Sequence, residues 1–173
     1  MQFKVKDIGE DGVAVDLPVT ERWLETECSD LGAEPGPQGI RFRGRLERSG
    51  EDFLLRGNLT GSLKTPCARC LEPALLPLDV EVSVIYSERD EREPEDDTLD
   101  APDVLVFEDG IIDLGAELRE EISLAQPVSV LCREDCAGLC PVCGGNRNTS
   151  PCDCEEKQRL ASSKLGALGK LKV

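Results

Sequence analysis

The 173-residue sequence contains no histidine. That absence excludes Ser-His-Asp triads, histidine general bases and zinc sites of the HExxH type. Aromatic residues make up only 3% of the chain, so a core must be mainly aliphatic. No run of apolar residues approaches the length of about 18 that a membrane-spanning helix needs, and the first residues lack the apolar stretch of a signal peptide. We therefore expect a cytoplasmic protein with no membrane partner.

Acidic residues outnumber basic ones by 35 to 20, which gives a formal net charge of −15. A surface of this sign repels phosphate and attracts basic proteins. The bulk charge therefore argues against non-specific nucleic-acid binding and favours a basic protein as the direct partner. Acidic residues are concentrated between 87 and 103, a composition that predicts a solvated loop. A contact site for a basic partner is the alternative interpretation of this segment.

Alternation of apolar and polar residues predicts a β-sheet. It is present at 3–5, 13–17, 40–46, 53–63 and 76–86, and the last run is the clearest. Period-two alternation is typical of strands with one buried face. Asp11-Gly12 and residues 49–52 are turn signals that predict hairpins between consecutive strands, and the Pro- and Gly-rich segment 33–39 predicts a loop.

Two helices are predicted from their capping residues. Thr20 is a candidate N-cap of a short helix that ends near Gly32, and Asp113 is a candidate N-cap of a longer helix that Pro127 ends. A short strand at 104–107 precedes the second helix. The predicted fold class is therefore α+β: an antiparallel β-sheet, either a meander or partly barrel-like, with one main helix and zinc knuckles made only of cysteine near the C-terminus.

Nine cysteines are the strongest chemical signal. In a reducing compartment, clustered cysteines indicate metal or redox chemistry before disulfides. Eight of them fall into two blocks and are the candidate metal ligands: Cys67, Cys70, Cys132, Cys136, Cys140, Cys143, Cys152 and Cys154. Thiolate-only ligation favours zinc or an iron–sulfur cluster over magnesium or calcium, and eight thiolates suffice for two tetrahedral zinc sites. Gly144 and Gly145 permit the tight turn that a CxxC ligand pair needs, and Cys28 is expected to be a small buried hydrophobe.

Two ligand pairings remain open. In the first, a local site is closed by the cysteines at 140, 143, 152 and 154. The cysteines at 67 and 70 then share an ion with those at 132 and 136. In the second, the cysteines at 67 and 70 share an ion with those at 140 and 143. Chain economy favours the first, because short loops lose the least entropy on closure.

Four thiolates per ion leave no open coordination position, which is the pattern of structural rather than catalytic zinc. We therefore expect one or two structural zinc ions, no enzymatic activity and no small-molecule substrate. The alternative is a thiol redox or iron–sulfur protein. The cysteine spacing differs from the ferredoxin run, and neither CxxC opens a helix in a βαβ unit, as it does in thioredoxin-like proteins.

Basic residues beside the cysteines and after them are the candidate contacts for RNA or another partner. They are Arg69, Arg133, Arg147, Lys157, Arg159, Lys164, Lys170 and Lys172. The alternative is that the arginines only offset the thiolate charge. The predicted layout is a sheet and helix domain at 1–131, a zinc-knuckle segment at 132–154 docked on the first CxxC, and a basic tail at 155–173 for which a short helix is the candidate structure.

Two stretches resemble one known family. Thr65-Pro66-Cys67-Ala68-Arg69-Cys70-Leu71 resembles its CxRCL element, and residues 132–148 resemble its signature C…CxGLCPxCGxNxN. The pattern of this family is also matched by Leu124-Ala125-Gln126-Pro127, by Cys152-Asp153-Cys154 and by the residues that follow. Over roughly residues 20–173 the chain resembles the YceD family, the bacterial large ribosomal RNA subunit accumulation proteins.

The resemblance implies a role in accumulation of large-subunit (23S) ribosomal RNA, and therefore in ribosome biogenesis. Related plant proteins are implicated in organellar ribosomal RNA processing, and the family supplies no established catalytic residues. Some relatives retain 67–70 and the equivalents of 132 and 136 but lack the later ligands, which favours the first pairing. The expected partner is a basic ribosomal protein or a pre-ribosomal particle, with ribosomal RNA as a further candidate.

Overall fold

The computed structural model describes residues 1–88, 103–154 and 157–159. The chain divides into two compact units. The first unit comprises Met1–Thr65 and Leu75–Pro127, and the second comprises Pro66–Ala74 and the segment that begins at Val128. The boundaries that we predicted at 131 and 154 remain predictions.

The described chain is mainly β-structure with two α-helices, in agreement with the predicted α+β class. The strands are β1 Gln2–Lys4, β2 Val13–Val19, β3 Glu34–Ser49, β4 Asp52–Pro66, β5 Pro73–Ser87, β6 Asp103–Val106 and β7 Ile111–Asp113. The helices are α1 Glu21–Glu27 and α2 Leu114–Leu124. Five strands form one sheet in the order β2-β3-β4-β5-β6, while β1 and β7 form a separate pair.

The core of the first unit follows from the alternation along the strands. Antiparallel β3 and β4 place Phe42 opposite Leu59 and Leu46 opposite Leu55, and all four side chains are fully buried. Gly44 and Gly57 also face each other, and a Cβ at Gly57 would lie 2.7 Å from the Phe42 ring. Two glycines therefore make room for one of the few aromatic rings. The predicted hairpin of 40–47 with 53–63 is confirmed.

Both predicted helix caps are present. The Thr20 hydroxyl accepts a hydrogen bond from the Trp23 N–H at 3.2 Å, and the Asp113 carboxylate accepts one from the Gly115 N–H at 2.8 Å. These bonds satisfy N–H groups that the first helical turn leaves without partners. A short 3₁₀ turn after α1 ends at Gly32 with a left-handed φ of 56°. No described helix is both long and apolar enough to cross a bilayer.

The predicted hairpin of the first two strands is wrong. β1 pairs with β7, with Phe3 opposite Ile112, whereas β2 pairs with β3. Asp11-Gly12 does form a turn, but a 3₁₀ turn at Val5–Asp7 separates β1 from it. A strand of three residues carries too little pattern to choose its partner, and the packing around Ile112, which is fully buried, decides the pairing.

Two further expectations need correction. The segment 33–39 is not simply a loop, because β3 begins at Glu34, which pairs with Lys64 ahead of an irregularity that ends at Ile40. Proline and glycine are tolerated at a β-bulge, because the hydrogen bonds between the two strands are interrupted there. The sheet is also not wholly antiparallel, since β6 runs parallel to β5. A parallel neighbour needs a long connection; the predicted acidic loop lies there, outside the described residues except at its two ends.

Candidate metal centres

Four cysteine sulfurs meet in the second unit, from Cys67, Cys70, Cys132 and Cys136, which we name the first four-cysteine group. All four Sγ atoms lie within 4.8 Å of one another. The Cys67 and Cys136 sulfurs are 3.8 Å apart, and the Cys70 and Cys132 sulfurs are 3.6 Å apart. A disulfide would hold two sulfurs at about 2.05 Å, whereas a tetrahedral ion with Zn–S bonds of about 2.3 Å separates its ligands by about 3.8 Å. The spacing therefore fits four ligands around one ion.

The first two ligands lie on a tight turn in the loop between β4 and β5. The Cys67 N–H donates to the Glu72 carbonyl at 2.8 Å, and the Leu71 N–H donates to the Cys67 carbonyl at 3.0 Å. The Arg69 N–H points at the Cys67 sulfur at 3.4 Å. Leu71 completes the turn in the left-handed region, with a φ of 62°. The backbone thus directs the two cysteines to one side and aims a donor at a sulfur.

Hydrogen bonds within the second unit join this turn to the segment that carries the other two ligands. The Ala68 N–H donates to the Val130 carbonyl at 2.8 Å, and the Leu139 N–H donates to the Arg69 carbonyl at 2.9 Å. The Arg69 guanidinium also donates to the Cys136 carbonyl at 3.1 Å. The first four-cysteine group is therefore held by backbone pairing as well as by its sulfurs.

The remaining four clustered cysteines, Cys140, Cys143, Cys152 and Cys154, form the second four-cysteine group. Their sulfurs also lie within 4.8 Å of one another, and those of Cys143 and Cys152 are 3.7 Å apart. Cys140 is buried and Cys143 is exposed. Both groups correspond to the first of the two pairings considered above; their role as metal ligands stays a prediction.

The second group repeats the turn of the first. The Cys140 N–H donates to the Gly145 carbonyl and the Gly144 N–H donates to the Cys140 carbonyl, each at 2.8 Å. The Val142 N–H points at the Cys140 sulfur at 3.4 Å. Gly144 takes the left-handed conformation, with a φ of 71°. The same three hydrogen bonds therefore shape both CxxC turns.

Asn148 supports the first group in a way that sequence reasoning missed. Its amide nitrogen donates to the Cys136 sulfur at 3.4 Å and to the Asn146 side-chain oxygen at 2.9 Å. Its amide oxygen accepts from the Ala137 N–H and from the Arg133 guanidinium, each at 2.8 Å. The Asn-x-Asn spacing between the last cysteines was the available signal, but nothing local shows that the amide reaches a sulfur.

The four thiols of the first group differ in the direction in which their pKa values are shifted. Burial acts to raise the pKa of Cys67, but N–H groups, that of Arg69 foremost, lower it to about 6. The Asn148 amide lowers the pKa of Cys136. Burial raises the pKa of Cys70, and raises the pKa of Cys132 to about 12. Without a cation, the group therefore carries both thiolates and thiols at neutral pH.

The second group shows the same division. The N–H groups of Cys143 and Val142 lower the pKa of Cys140 to about 7. The sulfurs of Cys143 and Cys152 raise the pKa of Cys154 to about 12. The Cys154 N–H acts to lower the pKa of Cys152. The neighbouring sulfurs of Cys140 and Cys143 have the larger effect, and the pKa of Cys152 is raised. A divalent cation would supply the positive charge that full ionisation needs.

The donor set fits a single soft ion in each group. Four thiolates in tetrahedral spacing are the ligands of structural zinc or of one iron. A cluster of several irons and sulfides would push opposite cysteines farther apart than the 4.8 Å within which all four sulfurs lie. The two four-cysteine groups can each hold one metal ion and leave it no open position.

The candidate basic contacts surround these groups in different ways. Arg69 donates to the Cys136 carbonyl and Arg133 donates to the Asn148 amide oxygen; both interpretations of these arginines, as partner contacts or as offsets of thiolate charge, stay predictions. Arg147 is half-buried and Arg159 is exposed. Lys157 forms an ion pair with Asp153 at 3.1 Å. Lys164, Lys170 and Lys172 lie outside the described residues, as does most of the predicted basic tail.

Several curated proteins are similar to this chain. An uncharacterized protein of Mycobacterium tuberculosis is 33% identical over 100 residues, which cover 58% of this chain and 47% of the relative. The chloroplastic large ribosomal RNA subunit accumulation protein YCED homolog 1 of Zea mays is 30% identical over 151 residues, 72% of this chain and 49% of the relative. The chain spans about half the length of these two relatives.

An uncharacterized protein of Bacillus subtilis is 26% identical over 133 residues, which cover 76% of this chain and 73% of the relative. No solved structure matches the chain. The family model described as large ribosomal RNA subunit accumulation protein YceD matches residues 55–172, a span that includes both four-cysteine groups and begins later than the resemblance at about residue 20. The chain belongs to the YceD family of large ribosomal RNA subunit accumulation proteins.

Proposed function

We propose that this protein is a non-enzymatic, zinc-stabilised factor in ribosome biogenesis that supports the accumulation of large-subunit ribosomal RNA in the cytoplasm. The observation that carries the proposal is the family match over residues 55–172. The name of the maize relative, which also refers to large-subunit ribosomal RNA, supports it. Two closed cysteine groups within the matched span support a scaffolding role over a catalytic one.

Zinc is the proposed occupant of both four-cysteine groups. A bound zinc ion would supply positive charge and four strong bonds, and thiolate-only ligation in a closed tetrahedron is typical of its structural sites. The two CxxC turns and the Asn148 amide would hold the ligands in place. The proposed result is a pair of zinc knuckles that keeps the described part of the second unit folded.

A thiol redox or iron–sulfur protein is the competing function. The lowered pKa of Cys67, about 6, and of Cys140, about 7, is a property that redox cysteines share. Against this, Cys67 is fully buried, whereas redox cysteines are accessible to their substrates. Metal analysis separates the two functions, because a colourless protein that contains zinc excludes an iron–sulfur centre.

The proposed partner is a basic ribosomal protein within a pre-ribosomal particle. With a net charge of −15, the protein attracts basic surfaces and repels free RNA at long range. Such an interaction should weaken as salt rises, because exposed charges are screened. Sedimentation with pre-ribosomal particles at low salt and release at high salt is the expected behaviour.

Depletion of the protein from the cell that makes it tests the proposed function. We expect the ratio of large-subunit to small-subunit ribosomal RNA to fall and to recover when the wild-type protein is restored. The double variant Cys67→Ser/Cys70→Ser should not restore the ratio, while Cys28→Ala, which leaves both four-cysteine groups intact, should restore it. An unchanged ratio after complete depletion would contradict the proposal.

A further inference from the structure

Four arginines lie together on the solvent side of β3 and β4 in the first unit. Arg41, Arg43 and Arg45 alternate with inward-facing residues along β3, and Arg56 of β4 lies directly opposite Arg45. All four are exposed. We name these four residues the arginine patch. None of them belongs to the basic residues that the sequence singled out, because only the register of β3 with β4 brings Arg56 to the other three.

The strand geometry sets the spacing of the patch. Outward-facing neighbours along one strand are about 6.8 Å apart, and adjacent strands are about 4.8 Å apart. Asn58 lies opposite Arg43 and Thr60 lies opposite Arg41, so polar side chains continue the patch along β4. The result is a row of guanidinium groups on a rigid sheet, flanked by groups that can also donate hydrogen bonds to oxygen.

The patch is positive although the whole chain is strongly acidic. Asp16 of β2 pairs with Arg41, through Nη2 and Oδ2 at 2.9 Å, and lies 3.7 Å from Arg43. Glu47 pairs with Arg45 at 2.7 Å. Three of the four arginines therefore contact two carboxylates among the described ion pairs, and β5, the next strand of the sheet, carries the exposed Asp79 and Glu81. In the free protein, the Asp16 and Glu47 carboxylates keep the guanidinium groups positioned. Exposed ion pairs of this kind contribute little stability, so an incoming anion can replace the carboxylates at small cost.

The chemistry of the patch favours RNA over a protein partner. Protein interfaces are centred on buried apolar or aromatic anchors. The exposed large hydrophobic residues of the described chain lie elsewhere: Leu71, Leu75, Val106, Ile111, Leu124, Val128 and Val142. Arginine forks match phosphate oxygens in bidentate geometry, and interfaces with nucleic acid are polar and positively charged. The arginine patch therefore fits a phosphate backbone.

The aromatic residues define what kind of RNA contact is available. All four Phe, the Trp and the Tyr are buried or half-buried. A surface that binds single-stranded RNA stacks bases on exposed aromatic rings, and this face presents none. Phosphate contacts alone read the shape of a helix and not its sequence.

We propose that the arginine patch binds the phosphate backbone of double-helical RNA without recognising its sequence. The choice of RNA as the ligand rests on the proposed function in ribosome biogenesis. The contact would add a short-range RNA site to a protein whose overall charge favours basic proteins, so that both components of a ribonucleoprotein particle could be engaged.

Fluorescence anisotropy with a labelled RNA duplex of about 20 base pairs tests the proposal. The double variant Arg43→Gln/Arg56→Gln removes two positive charges from the patch, and Lys6→Gln/Arg22→Gln removes two from exposed positions away from it. We expect the patch variant to lose at least about tenfold in affinity at low salt, and the slope of log affinity against log salt to fall by about 2. The control should change both quantities much less.

A variant that strengthens binding provides the converse test. Asp16→Asn removes the carboxylate that neutralises Arg41 and Arg43, so we expect severalfold tighter duplex binding. All substituted side chains are exposed, and circular dichroism on each variant checks that the fold is retained. Absence of duplex binding by the wild-type protein, or equal losses in the patch and control variants, would overturn the proposal.

Competition distinguishes RNA from an acidic protein as the occupant. Poly-glutamate at equal charge should displace the duplex poorly; if it displaces the duplex as well as unlabelled RNA does, the patch is a site for acidic protein and the RNA assignment is wrong. The two proposals fail separately. An unchanged ribosomal RNA ratio after depletion removes the proposed function, whereas unaltered duplex binding by the patch variant removes only this site.

Discussion

Leu71 and Gly144 occupy the same position in two separate turns. Each follows the second cysteine of a CxxC pair, each donates its N–H to the carbonyl of the first cysteine, and each has a left-handed φ, 62° for Leu71 and 71° for Gly144. Glycine adopts this conformation freely, whereas a residue with a Cβ is strained there. The two turns therefore have one geometry but different local strain.

This difference predicts opposite responses to substitution. Left-handed backbone costs a non-glycine residue about 1–2 kcal/mol, while glycine loses about 0.5–1 kcal/mol more than alanine in chain entropy. Leu71→Gly should therefore raise the free energy of unfolding by up to about 1.5 kcal/mol, since the Leu71 side chain is 66% exposed and little packing is lost. Gly144→Leu should lower that free energy by up to about 1.5 kcal/mol, because the added strain exceeds the gain in chain entropy. Denaturant unfolding of the metal-loaded protein measures both.

Val142→Gly is the matched control for these variants. Val142 lies in the second turn and is also exposed, but its φ is not in the left-handed region. Glycine at this position should destabilise the protein by about 0.5–1 kcal/mol, because no strain is relieved. Equal effects of Leu71→Gly and Val142→Gly would show that the left-handed turn carries no strain.

The two four-cysteine groups predict the metal content of the purified protein. We expect two zinc ions per chain in the wild type, and one in each of the variants Cys67→Ser/Cys70→Ser and Cys140→Ser/Cys143→Ser. Structural zinc binds zinc-finger peptides with about 10–16 kcal/mol, so removal of an ion should unfold the surroundings of its ligands. Elemental analysis gives the stoichiometry.

Hydrogen exchange reports the accompanying structural change. The amides of Ala68 and Leu139 donate hydrogen bonds beside the first four-cysteine group and should lose protection when Cys67 and Cys70 are replaced. Cys28→Ala should keep both ions and the protection of these amides, since Cys28 is buried among residues of the first unit. Melting that is unchanged after complete removal of metal would contradict a structural role for the ions.

Asn148 predicts an effect on metal affinity without loss of a ligand. Asn148→Asp keeps the shape of the side chain but replaces the N–H that donates to the Cys136 sulfur with a carboxylate oxygen. Loss of a hydrogen bond to a metal ligand typically lowers affinity about 10–100-fold. We expect a loss within that range in competition with a chromophoric zinc chelator. Asn58→Asp makes the same chemical change at an exposed position of β4 and should leave zinc affinity as it is.

Proton release should accompany metal binding. Four thiols have raised pKa values and must ionise before they bind zinc: Cys70, Cys132, Cys152 and Cys154. Because a raised pKa keeps these thiols protonated at neutral pH, zinc affinity should rise with pH between about pH 7 and 9 and fall as the solution is acidified.

Calorimetry in buffers of different ionisation enthalpy counts the released protons. We expect about four or more per chain at about pH 8 when both four-cysteine groups fill. Cys67 contributes little to this number, since its pKa is lowered to about 6 and its proton is largely gone before zinc arrives. Release of fewer than two protons would mean that the thiols with raised pKa were already ionised, which would contradict the described environment.

Local signals account for the parts of the fold that the sequence predicted correctly. Alternation and the turn at 49–52 specify the β3–β4 hairpin, and the caps at Thr20 and Asp113 act within three residues of themselves. Non-local choices were not predictable in this way. The partner of Phe3 lies more than one hundred residues away at Ile112, and such pairing depends on packing that no local pattern encodes.

The same distinction holds for the sites. Cysteine spacing predicted two groups of four sulfurs, because metal ligation demands a fixed number and kind of donor. The Asn148 amide was missed because its target, Cys136, lies twelve residues away along the chain. The arginines at 41, 43 and 45 were visible as an alternating row, but their junction with Arg56 requires the strand register.

The two four-cysteine groups differ in how much of the chain must be in place before they can form. Cys143 and Cys152 are nine positions apart, so the second group can capture an ion within a short peptide. Cys70 and Cys132 are 62 positions apart, so the first group becomes complete only when remote parts of the chain have come together. We therefore expect ordered loading during synthesis and refolding, in which an ion enters the first group last, after the segments that carry its four cysteines have come together.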